Sequence, residues 1–402
     1  MFDLNGKYAA ARIFTDNIEN EAISQIYELC NQEFVNGCKV RIMPDVHAGK
    51  GCTIGTTMEI KDKVVPNLVG VDISCGVLCI KLKEKEIDFK QLDDVIRKYI
   101  PSGMNVREKA IDSSEIKKIG LQKLKCINNI SMDRAEKSLG SLGNGNHYVE
   151  IDIDEEKNLY LVIHSGSRYL GKQVAEYYQK IATNDLTNNT KEKIALIEKL
   201  KNEGREKEIE CALKVFDKPK IPSHLAYLEG IHLKNYLHDV GIIQKYADKN
   251  RKTMANEIIT RMGLTIEEEF TTCHNYIDLD NMILRKGAIS AQKGEKLIIP
   301  INMRDGAIIG IGKGNPDWNY SAPHGAGRIM SRSKAKELVS LEEFEKSMSG
   351  VWTTSVCQST IDESPMVYKP IEEIKENIQD TVTVERIIKP VYNFKANGAD
   401  SF

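Results

Sequence analysis

Histidines at the ends of short apolar segments are the feature that most constrains this chain. Five of its eight histidines lie in turns rich in glycine, serine or asparagine, next to runs that are typical of β-strands. Loops at strand ends are where a rigid scaffold commonly carries its chemistry. The pattern favours an α+β fold whose β-rich core presents an active site on strand-end loops. The five histidines are His47, His147, His164, His274 and His324.

The composition is that of a large globular protein. The chain has 402 residues, of which 41% are hydrophobic and 28% charged, and this is enough to bury a large core. A formal net charge of −2 does not by itself indicate a nucleic-acid-binding protein, so any basic surface must be local. The chain shows no apolar run of about 18 residues and no apolar segment near its N-terminus, so we expect neither a membrane span nor a signal peptide. Nine irregularly spaced cysteines favour a reducing, cytoplasmic setting over a disulfide framework.

Strand-like and helical patterns follow one another without an obvious linker. Residues 40–43 are predicted to form a strand that stops at Pro44, and residues 77–82 and 160–164 to form further strands. The charged residues from about 170 to 270 predict a helical excursion from the β-rich core. Because no linker rich in proline or serine appears, residues 1–402 are expected to form a single domain.

The loop SAPHGAGR, residues 321–328, is the strongest single candidate for chemistry. Its glycines, Gly325 and Gly327, leave backbone N–H groups open to a large anion. A helix predicted directly after Arg328 would add oriented donors, and the arginine itself offers a guanidinium fork for phosphate. His324 would then lie against a bound phosphate as a nucleophile, an acid or a ligand. The alternative is an ordinary tight turn with a surface histidine.

A second cluster holds residue types that bind metals. Asp72 and Cys75 are three residues apart in a glycine-bounded turn, where both could reach one divalent transition metal. The alternative is a turn aspartate beside a buried thiol. Together with the strand-end histidines, these residues supply enough N, O and S donors for two metal ions, with the thiolate available as a bridge. Two metals beside phosphate-binding glycines imply phosphoryl or nucleotidyl transfer.

A third cluster, NHYVE at residues 146–150, combines a metal-ligand candidate with a base-binding pattern. If residues 147–153 form a strand, His147 faces one side while Tyr148 and Glu150 face the other. The tyrosine ring could stack on a purine, and the carboxylate could accept hydrogen bonds from its N–H groups. The strand would therefore present a metal ligand on one face and a purine clamp on the other.

Taken in order along the chain, these motifs resemble those of the RtcB family of RNA ligases, the enzymes of tRNA splicing and RNA repair. The resemblance spans nearly the whole chain. The motifs are PDVHAGKG from Pro44, GVDISCG from Gly70, LGNGNHYVE from Leu142, HSGSR from His164, ADKNR from Ala247, HNY from His274, RKGA from Arg285, HGAGR from His324 and SPMVYK from Ser364.

The resemblance implies a GTP- and Mn²⁺-dependent RNA ligase. His324 would attack the α-phosphate of GTP and carry GMP as a phosphoramidate. The GMP would then pass to an RNA 3′-phosphate, itself released from a 2′,3′-cyclic phosphate, and a 5′-hydroxyl would attack that activated end and expel GMP. Two manganese ions would share Cys75 as a bridging ligand. One ion would also be bound by Asp72 and His147, and the other by His164 and His274.

The resemblance also implies the nucleotide contacts. Tyr148 and Tyr368 would sandwich guanine, and further contacts would come from Asn146, Glu150, Asn275, Lys395, Gly325 and Gly327. The turn NMRDG at residues 302–306 stands where the family has a Gly-Ser-Met-Gly turn against the nucleotide, so Asn302 is assigned to this site too. The nucleophile loop has Ala-Pro before the histidine where the family has Cys-Ser. These departures indicate a divergent branch.

Two other functions stay open at the level of sequence. A metal-dependent phosphoesterase or nuclease acting on RNA ends would use His324 as a general acid, and a non-catalytic homologue would only bind the nucleotide. The ligase is the preferred interpretation because every metal and nucleophile position of the family is filled. Its expected partners are GTP and RNA with 3′-phosphate or 2′,3′-cyclic phosphate and 5′-hydroxyl ends. The resemblance also leaves room for an activating protein, and no membrane partner is expected.

Overall fold

The chain mixes helices and sheets throughout the residues that the structure describes. A computed structural model describes residues 1–111, 113–187, 190–216 and 221–396. Within these ranges the predicted α+β class is confirmed, whereas the assignment of residues 1–402 to a single domain stays a prediction. None of the helices described is both long and apolar enough to cross a membrane.

Strands and helices alternate through the described residues. The strands are β1 (Phe2–Asn5), β2 (Ala10–Ile13), β3 (Val40–His47), β4 (Ile54–Glu59), β5 (Lys63–Val64), β6 (Gly76–Leu82), β7 (Tyr148–Ile153), β8 (Leu159–Ser165), β9 (Leu228–Glu229), β10 (Ile266–Cys273), β11 (Asn275–Asp278), β12 (Ile283–Lys286), β13 (Ala288–Ser290), β14 (Lys296–Asn302), β15 (Gly306–Gly312), β16 (Ser321–Pro323), β17 (Trp352–Thr353) and β18 (Val382–Phe394). The helices are α1 (Asn20–Cys30), α2 (Phe89–Tyr99), α3 (Ser113–Ile119), α4 (Met132–Ser138), α5 (Arg168–Thr187), α6 (Thr190–Asn202), α7 (Ile209–Leu213), α8 (Gly230–Met262), α9 (Arg332–Leu338), α10 (Leu341–Ser347) and α11 (Ile371–Asn377).

Two sheets form the β-rich core. The larger has the strand order β10-β6-β8-β7-β18-β15-β14, with β17 paired to β18, and the smaller has the order β1-β2-β3-β4-β12-β11. Strands β6 and β8 are apolar over most of their length because both faces of the large sheet are covered. Apolar side chains of α8, such as Met254 and Ile258, pack with Leu161 and Ile163 on one face. Side chains of β14 and β15 pack with Val162 on the other.

The register of the large sheet brings the predicted metal ligands to one edge. In the pairing of β6 with β8, Val77 lies opposite His164, and in that of β7 with β8, Tyr148 lies opposite the same histidine. In the pairing of β10 with β6, Cys273 lies opposite Gly76. Cys75, His147 and His274 directly adjoin the ends of β6, β7 and β10, so the registers alone place these three residues together with His164.

The first predicted strand runs further than expected. Strand β3 continues through Pro44 to His47 instead of stopping at the proline. Its register with β4 shifts between Ile42 and His47, and its pairing with β2 ends at Ile42. No backbone N–H donor is therefore needed for a ladder hydrogen bond at Pro44. The missing N–H of proline is the usual reason that this residue ends a strand. The extension carries Asp45 and His47 toward the loop at residues 321–328.

The helical excursion is shorter than predicted. Helices α5, α6, α7 and α8 make up most of its described part, but residues 228 and 229 form β9, and residues 266–273 form β10 and belong to the large sheet. Helix α8 ends at Gly263, which has a left-handed φ of 64°, and glycine adopts this conformation without the steric cost that other residues pay. Residues 188, 189 and 217–220 of the predicted excursion lie outside the described residues.

The helix predicted directly after Arg328 begins later. Arg328 forms an isolated β-bridge with Tyr368, and the backbone N–H of Ile329 donates to the carbonyl of Val367 at 2.9 Å. The chain bends at residues 329 and 330, and α9 begins only after Ser331, whose side chain accepts from the N–H of Lys334 and caps the helix. The prediction that the helix begins directly after Arg328 is therefore wrong.

Candidate active site

A buried cluster of thiol, imidazole and carboxylate groups lies at the edge where β6, β7, β8 and β10 meet. Cys75 Sγ is 3.2 Å from His147 Nε2 and 3.3 Å from His164 Nε2. His164 Nε2 is 3.3 Å from His274 Nε2, and Asp72 Oδ2 is 3.2 Å from His147 Nε2. The structure thus brings together all five residues that the sequence predicted as metal ligands.

Hydrogen bonds to the far ring nitrogens orient these imidazoles. His164 Nδ1 lies 3.0 Å from the carbonyl oxygen of Asn146. His147 Nδ1 lies 3.0 Å from the carbonyl oxygen of Leu142 and 2.8 Å from Nη1 of Arg168. An imidazole that donates from Nδ1 to a carbonyl keeps the Nε2 lone pair for a metal, a common supporting contact in metal sites. Both Nε2 atoms point toward Sγ of Cys75. A thiolate at this position could therefore be a ligand shared by the metal ions that the two imidazoles bind.

Burial sets the protonation of the cluster. It lowers the pKa of His147, His164 and His274, which keeps these rings neutral and able to act as ligands. Burial, reinforced by the charge of Asp72, raises the pKa of the Cys75 thiol well above its usual value. Burial opposes the charged form of Asp72 as well, but the hydrogen bond and charge of His147 outweigh it, so the pKa of Asp72 is lowered.

The donor set fits a divalent transition metal. The ligand atoms of Cys75, His147 and His164 all lie within 4.8 Å of one another, and a thiolate with two imidazoles suits such an ion. Metal binding would displace the thiol proton of Cys75, since the thiolate is the ligand form.

His324 lies beside this cluster and is held by a residue that sequence analysis did not single out. Its ring centroid is 4.8 Å from that of His274. Its Nδ1 is 2.6 Å from Oδ2 of Asp45, which is fully buried and also accepts from the backbone N–H groups of His324 (3.1 Å) and Gly325 (3.2 Å). Asp45 therefore fixes the ring orientation and directs Nε2 away from the carboxylate. The sequence feature that could have identified Asp45 is the PDVHAGKG motif, in which this aspartate lies two residues before His47.

The glycine-rich part of the His324 loop is explained by close packing. Gly327 has a φ of 75°, and a Cβ there would lie 2.4 Å from the carbonyl oxygen of Asp45. A larger residue would push the loop away from the carboxylate that holds His324.

His47, the fifth strand-end histidine, is bonded through Nδ1 to the carbonyl oxygen of Asp45 at 2.9 Å. The structure places it at the cavity described next, outside the thiol-imidazole cluster.

A cavity of about 200 Å³ opens over His324, His164 and His274. Tyr148 and Tyr368 are among its walls, as predicted for a base clamp, and the loop glycines lie at its edge. Eight of the nine residues predicted to bind the nucleotide line it, and Asn275 does not. These eight are Asn146, Tyr148, Glu150, Asn302, Gly325, Gly327, Tyr368 and Lys395. The side-chain oxygen of Asn275 instead accepts from the N–H of Gly287 at 2.9 Å.

Asn302 lines the cavity, but its polar atoms are already used. Its Oδ1 accepts from the backbone N–H groups of Arg304 (3.0 Å) and Asp305 (2.9 Å), and its Nδ2 donates to Asp305 Oδ2 at 2.8 Å. This is the local pattern by which asparagine stabilises a turn. In this structure the side chain closes the hairpin between β14 and β15 through three hydrogen bonds.

A buried ionic network forms the far wall of the cavity. Glu363 accepts from the hydroxyl of Tyr368 at 2.7 Å and pairs with Lys395 Nζ at 3.3 Å and with Arg332 at 3.1 Å. The Arg328 guanidinium lies 5.3 Å from the ring centroid of Tyr368. Glu363 and Arg332 were not predicted from the sequence, because nothing in their local pattern distinguishes them from an ordinary surface pair.

Helix α8 supports the loops of the cluster from behind. Asn250 accepts from the N–H groups of Gly140 (2.7 Å) and Ser141 (3.1 Å) and donates to the carbonyl oxygen of Gly166 at 3.1 Å. The fully buried Arg251 donates to the carbonyl oxygens of Ser74 and Ser165, both at 2.9 Å. The ADKNR motif thus joins the loops that carry the metal ligands.

The fold and this site define a candidate centre for phosphoryl or nucleotidyl transfer, in which an oriented imidazole faces a metal-ligand cluster across a cavity. A family model described as tRNA-splicing ligase RtcB matches residues 25–396. The chain belongs to the RtcB family, as its motifs predicted.

Curated relatives agree with this placement. The chain is 30% identical to the RNA-splicing ligase RtcB of Escherichia coli, over 93% of this chain and 94% of that protein. It is 27% identical to the tRNA-splicing ligase RtcB of Aeropyrum pernix, over 86% and 85% of the two chains. It is 25% identical to the RNA-splicing ligase RtcB2 of Escherichia coli, over 95% and 93%. These identities fit the divergent branch that the altered motifs indicated.

Proposed function

We propose that this protein is an RNA ligase of RNA repair or tRNA splicing, which joins 3′-phosphate or 2′,3′-cyclic phosphate ends to 5′-hydroxyl ends. The observation that carries the proposal is the placement of His324. Its ring is fixed by Asp45 and lies 4.8 Å from the ring of His274, at the base of a cavity with two tyrosine walls. We expect the protein to act in the cytoplasm, since its nine cysteines are free thiols.

In this proposal GTP is the co-substrate that occupies the cavity. Guanine lies between Tyr148 and Tyr368, with Glu150 as the acceptor for its N–H groups. Lys395, whose Nζ is 5.4 Å from the Tyr148 ring centroid, provides positive charge at the same wall. The backbone at Gly325 and Gly327 and the guanidinium of Arg328 receive the phosphates. The α-phosphate then lies within reach of His324.

The residues around His324 account for transfer of GMP. Asp45 accepts a hydrogen bond from the Nδ1–H of His324, so the Nε2 lone pair is the nucleophile. A P–N bond forms at the α-phosphate as the bond to the β-phosphate oxygen breaks, and pyrophosphate leaves. A 3′-phosphate oxygen of RNA next attacks the same phosphorus and restores the free imidazole. The RNA 5′-hydroxyl finally attacks the activated 3′-phosphate, and GMP leaves.

Two manganese ions are part of the proposal. Asp72, Cys75 and His147 would hold one, and Cys75, His164 and His274 the other. When bound, they would neutralise phosphate charge near His324 and so reduce its repulsion of an incoming nucleophile.

Incubation with GTP labelled at the α-phosphate, together with Mn²⁺, tests the proposal. We expect a protein–GMP adduct that is labile in acid and stable in alkali, the behaviour of a P–N bond. The variant His324→Ala should form no adduct, because it lacks the nucleophile. The matched control is His224→Ala, since His224 forms a surface pair with Glu28.

Two outcomes would contradict the ligase. Release of phosphate from RNA ends without any adduct would support a phosphoesterase in which His324 is a general acid. Binding of GTP with neither adduct nor phosphate release would support a non-catalytic nucleotide-binding protein.

A further inference from the structure

Asn393 is a buried asparagine that the proposed transfer of GMP does not use. It lies on β18 opposite Glu150 of β7, is fully buried, and donates from Nδ2 to Glu150 Oε1 at 2.5 Å. Its Oδ1 has no hydrogen-bond partner among the described residues. Burying an amide with one unpaired end costs stability that an apolar side chain of similar size does not cost. The bond to Glu150 therefore explains this asparagine better than packing does.

A second acid lies beside Glu150. Asp152 is two positions further along β7, so its side chain points to the same face of the strand. It is fully buried, and neither of its carboxyl oxygens has a hydrogen-bond partner among the described residues. Two neighbouring carboxyl groups in a buried site do not both ionise readily, so one of them keeps its proton.

The contacts of the two acids favour ionisation of Glu150. Burial raises the pKa of Glu150, but the Asn393 hydrogen bond and then the charge of Lys395 oppose the rise. Burial, reinforced by the charge of Glu150, raises the pKa of Asp152 well above its usual value. Lys395 Nζ is also paired with Glu363 at 3.3 Å. The Asn393 amide is therefore the contact that distinguishes Glu150 from Asp152 most directly.

Other titratable groups face the two acids from the neighbouring strands. They are Cys79 and Lys81 on β6, Tyr148 on β7, Tyr160 and His164 on β8, Glu268 on β10, Lys296 on β14, Arg386 on β18 and Lys395 directly after it. Burial raises the pKa of the thiol and of both phenols and lowers the pKa of the imidazole, so these groups are uncharged. The cations on β6, β14 and β18 are each paired with a carboxylate. Of this set, Lys395 is the group whose charge acts on Glu150.

We propose that Asn393 is a positioning residue that makes Glu150, and not Asp152, the ionised acid of this pair and so selects guanine over adenine. An ionised carboxylate only accepts hydrogen bonds, and it fits the adjacent N–H groups of guanine. A protonated carboxyl group both donates and accepts, and it fits adenine, whose edge has one acceptor beside one donor. Of the two acids, Glu150 is the one that lines the described nucleotide cavity. The inference rests on the proposed function, because it concerns the base of the nucleotide proposed there.

Titration calorimetry with guanosine and adenosine at several pH values tests the role of Asn393. Asn393→Leu removes the amide at similar volume. The midpoint of the rise in guanosine affinity should move upward by about one pH unit, because loss of a hydrogen bond to a carboxylate raises its pKa. Near neutral pH the ratio of guanosine to adenosine affinity should fall about tenfold, since both bound forms depend on this proton. Asn158→Leu is the matched control: Asn158 is a buried asparagine that donates to Asp154 at 2.9 Å, outside the cavity, so both readouts should be unchanged.

Asp152→Leu gives a second, independent comparison. If Asp152 keeps its proton, its removal should move the guanosine midpoint by less than about 0.3 pH units. If Asp152 were the acid that ionises first, its removal would lower the midpoint by about one unit or more, because a like charge is lost. This comparison decides the question should Asn393→Leu fail to fold. An unchanged midpoint in a folded Asn393→Leu, or a lowered one in Asp152→Leu, would overturn the proposal.

A titration without nucleotide separates this inference from the proposed function. Glutamate labelled with ¹³C at the side-chain carboxyl reports the protonation of Glu150 by NMR, and Glu150→Gln identifies its signal. The titration of this signal should move to higher pH in Asn393→Leu and stay in place in Asn158→Leu. If the unmodified protein binds no guanosine, the proposed function fails by itself, and this titration still decides whether Asn393 sets the ionisation of Glu150.

Discussion

Glu150 is the cavity residue whose charge should respond most to pH. It lies on β7, accepts a hydrogen bond from Asn393 and is buried. Burial raises the pKa of Glu150 to about 7, although the Asn393 hydrogen bond and the charge of Lys395 oppose the rise. If the carboxylate accepts the N–H groups of guanine, the form that binds is the deprotonated one, which predominates above this pKa.

Affinity for guanosine should therefore increase by about tenfold between pH 6 and pH 8, as a carboxyl group with a pKa near 7 loses its proton. Guanosine is the suitable probe because it has no phosphate that titrates in this range. Isothermal titration at several pH values measures the effect. Glu150→Gln should bind more weakly at pH 8 and show a flat profile. A profile of the same slope in this variant would exclude Glu150 as the titrating acceptor.

At the scale of single residues, the sequence predicted which side chains face the cavity where the alternation of a strand determines their direction. Tyr148 and Glu150 line the cavity as the period-two pattern of β7 required. It could not predict Asp45 or Glu363, because their partners are remote in sequence. Asp45 and His324 are 279 positions apart, and Glu363 and Lys395 are 32 positions apart. Such pairs exist only once the strands are assembled.

The hairpin between β14 and β15 is the element in which this chain departs most from the family pattern. Asn302 was expected to contact the nucleotide, yet its side chain is bonded within the turn, to Arg304 and Asp305. The sequence could identify the turn at residues 302–306, which connects β14 and β15 in the structure. It could not show that the side chain of Asn302 forms its hydrogen bonds within the turn.

Asn302→Ala should lower the free energy of unfolding by about 1–2 kcal/mol, because three hydrogen bonds of the turn are lost. The same change should alter GTP affinity less than about twofold, since no bond to the ligand is removed. Urea unfolding and titration calorimetry measure the two effects. Arg304→Ala is the control, because its pair with Asp305 is largely exposed and should contribute less than about 1 kcal/mol. A large loss of GTP affinity with unchanged stability would restore Asn302 as a nucleotide contact.

At the scale of the whole molecule, the metal-ligand cluster joins elements far apart in the chain. Its members come from the ends of β6, β7, β8 and β10, and α8 holds the same loops through Asn250 and Arg251. An ion bound there would connect these elements in the folded state only. Metal affinity should therefore appear as stability of the entire fold.

Mn²⁺ should raise the midpoint of thermal unfolding by roughly 3–5 °C at about 100 times its dissociation constant, and chelation should reverse the rise. Cys75→Ala should lose this metal-dependent increment, because the shared thiolate is gone. Differential scanning fluorimetry with and without Mn²⁺ provides the comparison, with the exposed Cys211→Ala as the control. The same increment in Cys75→Ala would contradict a bridging role for this thiol.

The sequence by itself determined the local elements and the family. Periodicity and turn residues act over a few neighbouring positions, so they located β6, β8, the turn at residues 302–306 and the strand-end histidines. These local patterns gave wrong predictions where contacts distant in sequence decide the local structure: the strand does not stop at Pro44, and no helix begins directly after Arg328. Only the tertiary structure decided which strand ends meet, because this depends on registers such as Val77 with His164 and Cys273 with Gly76. The Asp45–His324 pair arises from that assembly.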